Sequence, residues 1–373
     1  MTCTGDDRYM KAVRLFEFDQ PPRLVEVPEP KITGPLDVIV RIAGAGVCRT
    51  DLHLVEGVFK DGMADKMPFT LGHENAGWIE EVGSGVPHLA KGDPVILHPQ
   101  PSCGLCRNCR IGNDMHCTGP SFFPGFDGTD GGYAEYLRTT ARAVIKLAPG
   151  TDPASLAPFA DAGITAYHAV KKQLPIIHPG TTAVVLGVGG LGHFGIQILK
   201  ALSPARVVAL DTRPERLDFA RRLGADEAFQ STLDGGVNAV REVTDGQGAD
   251  IIFDFVGEHG TPDTSIKMLH RGGTYAQIGY GGSLSIKTVD LLLGEYTIVG
   301  NIVGSYNDLA ELMELNRQGK VQITAQQFPL EDAADVLREL DAGRVEGRAV
   351  LLPPGVPQTN VRRATAGAGV RAN

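Results

Sequence analysis

Two textures of apolar and polar residues succeed one another along the chain. In the first third, apolar positions come in short runs or alternate with polar ones, and β-branched residues are prominent. Lys11–Phe18, Asp37–Gly44 and Asp93–Leu97 each read as a strand. Pro21-Pro22, Gly34-Pro35 and Gly83-Ser84-Gly85 punctuate these runs and predict turns. From about Pro153 the pattern changes. A helix is predicted through Ala154–Gln173, and strands then alternate with helices: strands at Ala183–Leu186, Val207–Leu210, Ile251–Phe255, Thr274–Ile278 and Tyr296–Gly300, with helices such as Pro214–Leu223 between them. Strand–helix–strand repetition implies a parallel sheet covered on both faces, so the expected class is α/β. A helix at Asp308–Gln318 and a strand at Ala349–Leu352 follow. The small, polar, proline-bearing tail from about Pro353 to Asn373 predicts disorder.

Thr181–Leu199 is apolar enough to be weighed as a membrane span, its one ionisable residue being His193. Yet Gly187, Gly189, Gly190, Gly192 and Gly195 interrupt it, and its first residues are β-branched or small. A buried strand, a tight turn and a packed helix are expected there, and no span. At 373 residues, with 42% hydrophobic and 21% charged residues, the chain has room for two globular domains. A net charge of -9 argues against nucleic acid or an anionic membrane surface as partner. Met1–Tyr9 is polar and lacks the apolar stretch of a secretory signal, so a cytoplasmic location with reduced thiols is expected.

Gly187-Val188-Gly189-Gly190-Leu191-Gly192 is a G-x-G-x-x-G run placed after a predicted strand and before a predicted helix. In that context glycines permit a tight turn and let a pyrophosphate approach the backbone at a helix N-terminus. Asp211 ends the next predicted strand, 19 residues past Gly192. A carboxylate there accepts hydrogen bonds from the hydroxyls of an adenosine ribose and repels a 2′-phosphate, which predicts NAD over NADP. Arg213 and Arg216 lie close by and weaken that preference, because they could welcome a phosphate.

Cys103, Cys106, Cys109 and Cys117 form the pattern C-x2-C-x2-C-x7-C, whereas Cys3 and Cys48 are the only other cysteines. Such crowding suits a thiolate cage around one metal ion, most often zinc. A ferredoxin-type run also begins C-x2-C-x2-C but continues x3-C-P, and here Thr118 follows the fourth cysteine. A zinc module for nucleic acid or protein binding is a further alternative, although only Arg107 and Arg110 are basic within the lobe.

Two more segments, Cys48-Arg49-Thr50-Asp51-Leu52-His53 and Gly72-His73-Glu74, bring soft and borderline ligands. Together with the cysteine run and the glycine motif, they resemble the zinc-dependent alcohol dehydrogenases of the medium-chain dehydrogenase/reductase superfamily. The resemblance extends from about Lys11 to Leu352. It implies a GroES-like, β-rich catalytic domain (residues 1–160 and 305–373) and a Rossmann parallel-sheet domain (161–304), with the active cleft where the two meet. It also implies NAD-linked interconversion of alcohols with aldehydes or ketones, and two Zn2+ ions per chain.

By the same resemblance, Cys48, His73 and Asp161 are the ligands of a catalytic zinc, with Glu74 able to approach the metal or stand behind it. Asp51 accepts the other ring N–H of His73. Thr50 receives the proton released by the alcohol and passes it, through the cofactor's ribose, to His53 at the surface. Arg49 and Arg348 reach the pyrophosphate, Arg216 joins Asp211 near the adenosine ribose, Thr165 and Leu191 flank the nicotinamide ring, and Val256 and Ile278 line its bay. Cys103, Cys106, Cys109 and Cys117 hold a structural zinc. Phe59 and the Pro120–Phe126 segment, with Tyr280, suggest an apolar pocket for a medium-sized or aromatic alcohol. A polyol or an amino alcohol is the alternative substrate. A homotetramer is the expected assembly.

Overall fold

The computed structural model describes residues 8–357, so most of the tail expected to be disordered lies outside the described residues. The chain divides into two compact units, Met1–Asp161 with Ile323–Asn373, and Ala162–Gln322. No helix among the described residues is long and apolar enough to cross a membrane.

The first unit is built on one long strand, Asp37–Val47, whose apolar residues are buried on both faces. It lies in a seven-stranded sheet between Arg348–Leu352 and Glu74–Val82, and also pairs with Tyr136–Thr140. A smaller sheet joins Arg23–Pro28, Tyr9–Leu15 and Phe69–Thr70. Val38, Val40, Ile42, Ala45 and Val47 pack with Ile79, Val95, Leu137 and Leu351 into the core. Register makes the site. Gly46 pairs with Glu74 on one side, and Val47 with Ala349 on the other. Cys48, His73 and Arg348, each next to one of those pairs, are therefore delivered to one end of the sheet by three strands far apart in sequence.

In the second unit six parallel strands stand in the order Glu227–Gln230, Arg206–Asp211, Thr182–Leu186, Ala249–Asp254, Leu269–Gln277, Thr297–Gly300. In chain order this is 3-2-1-4-5-6, the doubly wound arrangement whose order reverses between the first and fourth strands. The two strands at that reversal are almost wholly buried, and residues 183–186 and 251–253 within them are apolar, as suits strands covered on both faces.

Two expectations need correction. The helix anticipated over Ala154–Gln173 is broken: a 3-10 segment, Ala154–Ala160, contains Pro158, and the α-helix starts only at Ala162. Proline has no N–H to continue the hydrogen-bond ladder. Asp161, at φ -132 and ψ -61, sits in the break. The return to the first unit comes at Gln322–Ile323, and not near Gly304. The reason is the helix Tyr306–Arg317, which is tied to Ala162–Gln173. Asp308 meets His168 and Lys171, both at 2.9 Å, and Glu311 accepts a hydrogen bond from the Tyr167 hydroxyl at 2.7 Å.

Candidate active site

Cys48 follows the central strand directly and caps the short helix Arg49–Val55. Its backbone N–H donates to Oδ2 of Asp51 at 2.9 Å, and the same oxygen accepts the Tyr133 hydroxyl at 2.7 Å. Oδ1 of Asp51 faces His73 Nδ1 at 3.5 Å. Asp51 thus holds the cysteine's backbone and orients the imidazole from behind, as carboxylates behind metal-bound histidines do. The other ring nitrogen, Nε2, lies 3.5 Å from Asp161 Oδ2, and Cys48 Sγ lies 3.7 Å from that oxygen.

One ligand atom from each of Cys48, His73, Glu74 and Asp161 falls within 4.8 Å of the others, and all four residues are buried. Donors around a tetrahedral zinc, bonded at about 2.0–2.3 Å, stand roughly 3.3–3.8 Å apart. The contacts at 3.5 and 3.7 Å have that spacing. Charge leads to the same conclusion. Burial alone would push the His73 pKa down, but Asp51, Asp161 and Cys48 hold it well above the ordinary imidazole value. Burial pushes Glu74 up to about 7 even though Arg348 pulls it down. Burial also opposes ionisation of Asp161, yet His73 and Arg348 bring it below the usual carboxylate value. The cluster is rich in acceptors and fits a cation.

Glu74 lies over the central strand so closely that a Cβ at Gly46 would come 1.9 Å from its Oε2, which is why glycine stands there. Its other oxygen accepts a hydrogen bond from the Arg348 guanidinium. Arg348, expected to face a pyrophosphate, is only 4% exposed and spends its charge on Glu74, because it opens a strand inserted beside the central one. Arg49 is exposed and stands 4.0 Å from Asp341. His53, expected at the surface, is 7% exposed, since the helix that carries it buries every residue from Asp51 to Leu54. Thr50 is half-buried at the start of that helix. Beside His73 runs an aromatic wall: Phe123 at 6.1 Å between ring centroids, Phe126 at 5.2 Å from Phe123, and Phe59 at 5.1 Å from Phe126.

The four-cysteine lobe gathers its sulfurs without burying them. Cys106 and Cys109 approach to 3.4 Å, and Cys103 and Cys109 to 3.9 Å. Backbone N–H groups of Leu105 and Cys106 point at Cys103 Sγ at 3.5 and 3.4 Å. These donors favour the thiolate and lower the Cys103 pKa. Four cysteine sulfurs converging in this way could form a closed shell for zinc.

In the second unit the glycine run turns where the sheet order reverses. Gly187 has φ +88, and a Cβ there would meet Val256 at 2.5 Å. A Cβ on Gly192 would lie 1.8 Å from the Gly187 carbonyl oxygen, whereas Gly189 has open space apart from Arg216 at 3.7 Å. Close strand–helix contact at one glycine and an open face at another are what a backbone cradle for a pyrophosphate requires. Asp211 accepts from the Val188 and Arg213 N–H groups at 2.7 and 2.9 Å, with Arg216 at 3.5 Å. Gly190 and Leu191 complete the turn, Leu191 capping the Gly192–Leu202 helix. Thr165 is buried on the Ala162–Gln173 helix; Val256 and Ile278 follow the fourth and fifth strands of the sheet.

The chain matches two protein-family models: the alcohol dehydrogenase GroES-like domain over residues 34–149 and the zinc-binding dehydrogenase domain over residues 190–317. It belongs to the zinc-dependent alcohol dehydrogenases of the medium-chain superfamily. An NAD-dependent alcohol dehydrogenase of Sulfurisphaera tokodaii is 35% identical, aligning with 92% of this chain and 100% of the relative. A D-arabinose 1-dehydrogenase (NADP(+)) of Saccharolobus solfataricus is 37% identical over 92% of this chain and 97% of its own. Among solved structures, the alcohol dehydrogenase of Aeropyrum pernix superposes with a TM-score of 0.89 at 48% identity, covering 92% of this chain and 100% of that one. This alcohol dehydrogenase therefore takes Zn2+ and NAD as cofactors and interconverts alcohols with carbonyl compounds.

Tyr133 is the one residue of the site that sequence reasoning missed. It follows two glycines and no motif; long-range backbone bonds to Leu71 and Val13 place it where its hydroxyl reaches Asp51. The Glu74–Arg348 pair was equally hidden, although both residues had been singled out for other roles.

Proposed function

We propose that Cys48, His73 and Asp161 hold the catalytic zinc, with Glu74 behind them as a buried reserve carboxylate, and that Cys103, Cys106, Cys109 and Cys117 hold a structural one. The observation that carries this reading is the convergence of Cys48 Sγ and His73 Nε2 on one Asp161 oxygen, at 3.7 and 3.5 Å. When bound there, the metal supplies Lewis acidity that lowers the pKa of an alcohol or polarises a carbonyl, and NAD supplies the hydride acceptor. Asp51 and Tyr133 keep the imidazole of His73 in one orientation. Thr50 receives the substrate proton on its hydroxyl, and His53, three residues on along the same helix, is the next group able to hold it. Because His53 is buried, the proton leaves along a path inside the fold.

Asp211 at the end of the second strand supports NAD as the preferred dinucleotide, bound over Gly187–Gly192, with Arg216 assigned to the adenosine end and Arg49 to the phosphates. Thr165, Leu191, Val256 and Ile278 are assigned to the nicotinamide end. The aromatic wall of Phe59, Phe123 and Phe126 beside His73 favours a medium-sized apolar or aromatic alcohol. The sugar-oxidising relative keeps a polyol as the second reading. A homotetramer in the cytoplasm is proposed as the working form.

Steady-state kinetics with ethanol, 2-butanol, benzyl alcohol, 1-phenylethanol and sorbitol, each with NAD and NADP, tests the reading. The highest kcat/KM is expected for an aromatic alcohol with NAD. A sorbitol preference overturns the substrate class, and an NADP preference overturns the role of Asp211.

A further inference from the structure

Asp254 is a buried carboxylate outside the metal cluster, and the reaction as described gives it no task. It is the last residue of the fourth strand in the second unit and has no solvent exposure. Four donors surround it, each at 2.9 Å. Oδ1 accepts from the backbone N–H groups of Val256 and Gly257, and Oδ2 from the hydroxyls of Thr261 and Tyr275. All four donors are neutral, and among the described residues no lysine, arginine or histidine forms an ion pair with it. Burial raises its pKa, and the four donors oppose that rise. Its backbone carbonyl is also engaged, accepting from Ile278 and Gly279 at 3.0 and 2.9 Å. One residue thus ties together the turn after the fourth strand, the start of the Thr261–Met268 helix and the end of the fifth strand.

Its position gives this knot a meaning. A dinucleotide on a doubly wound sheet crosses the C-terminal edge where the strand order reverses. That point lies between Thr182–Leu186 and Ala249–Asp254. The acidic residue for the adenosine ribose, Asp211, ends the second strand, on one side of the crossing. The far end of the dinucleotide then lies over the ends of the fourth and fifth strands, which Asp254 fastens. The turn it holds touches the cradle directly, since Val256 stands 2.5 Å from where a Gly187 Cβ would be.

We propose that Asp254 is a positioning and charge-matching residue for the nicotinamide end of the cofactor. It fixes the 255–257 turn and the Ile278 backbone, and its carboxylate favours the cationic ring of NAD+ over the neutral ring of NADH. Both forms carry the same pyrophosphate and riboses, so the ring charge is the difference a buried anion can sense. The proposal rests on the NAD reading and would tune the balance between the oxidised and reduced cofactor.

Isothermal titration calorimetry of the zinc-loaded enzyme with NAD+ and with NADH, without substrate, tests it. Asp254→Asn removes the charge and keeps the knot. Its amide oxygen still accepts both backbone N–H groups, and its NH2 donates to the hydroxyl oxygens of Thr261 and Tyr275. The expected result is NAD+ binding weakened roughly five- to tenfold with NADH binding changed less than about twofold. Asp254→Ser is a second neutral variant, whose hydroxyl can accept from the N–H two residues on; the same selective loss of NAD+ is expected if the asparagine variant does not fold. Equal loss for both nucleotides, or no change, overturns the charge role while leaving the NAD reading intact. A wild-type enzyme that binds neither nucleotide overturns that reading, and the proposal with it.

Discussion

Cys48 and His73 are held in place by other side chains. Asp51 holds the backbone of one and the ring of the other, and Tyr133 holds Asp51. Replacing Cys48 by Ser swaps a soft thiolate for a weak hydroxyl donor without disturbing these contacts. Turnover is expected to fall by about 10³-fold or more, with the structural zinc retained in a metal assay. The Glu74–Arg348 pair gives a second test at this scale. Both residues are essentially buried, so removing only the cation strands a carboxylate in the core. Arg348→Met should cost about 3–5 kcal/mol in urea unfolding, and adding Glu74→Gln should return much of it. A loss under about 1 kcal/mol would mean that the pair is not formed in solution. The clustering candidates Cys48 and His73 were legible in the sequence because Gly72-His73-Glu74 and Cys48–His53 carry their own local patterns. Arg348 was legible as a charge but not as a partner. Nothing local says that the strand opened by Arg348 pairs its Ala349 against Val47.

The α-helices and strands themselves were largely readable, since buried parallel strands announce themselves as apolar runs and glycine marks the turn after the first. The misread break at Pro158 had a visible cause, and its effect is to free Asp161 from helical geometry. The domain boundary was misread for lack of a local signal. What places the Tyr306–Arg317 helix in the cofactor-binding unit is the long-range contact of Asp308 with His168 and Lys171. Asp308 also closes a capping box with Ser305. Burial opposes its ionisation, but His168, Lys171 and the Ser305 N–H hold its carboxyl well below the ordinary value. A carboxyl depressed in the folded state stabilises fully above the unfolded pKa of about 4, and its contribution fades as pH falls toward the folded value. Asp308→Asn is therefore expected to cost roughly 1–2 kcal/mol at pH 7, with the gap to wild type narrowing below about pH 4 in thermal melts. A gap that widened with acid would contradict the assignment.

For the molecule as a whole, two metal sites of different character should give two zinc ions per chain by mass spectrometry. Chelation should remove activity before it removes the lobe's zinc, because four thiolates bind more tightly than a mixed set. One zinc per chain after full reconstitution would mean that one of the two clusters holds no metal. Among the described residues, the strand Thr297–Gly300 has no partner on its outer side, and Ile298 and the nearby Leu292, Leu293, Val289 and Ile302 are exposed. Apolar edges of this kind invite pairing with another chain. Ile298→Lys with Leu292→Glu should shift the mass in light scattering toward the monomer. An unchanged oligomer would place the contact elsewhere.

The insertion of Arg348 beside the central strand also bears on how the protein is made. Glu74 and Arg348 are 274 residues apart, with the entire cofactor-binding unit between them. At ribosomal rates of about 5–20 residues per second, Glu74 waits roughly 14–55 s for its counter-ion to be synthesised. Until then the catalytic sheet lacks two strands, and Glu74 stays neutral or solvated. Cys48, His73, Glu74 and Asp161 all emerge before Arg348, so what the first unit awaits is the partner of Glu74 and the rest of its sheet. The second unit emerges whole before Arg348 does, so the first unit, begun earlier, is expected to complete its sheet last.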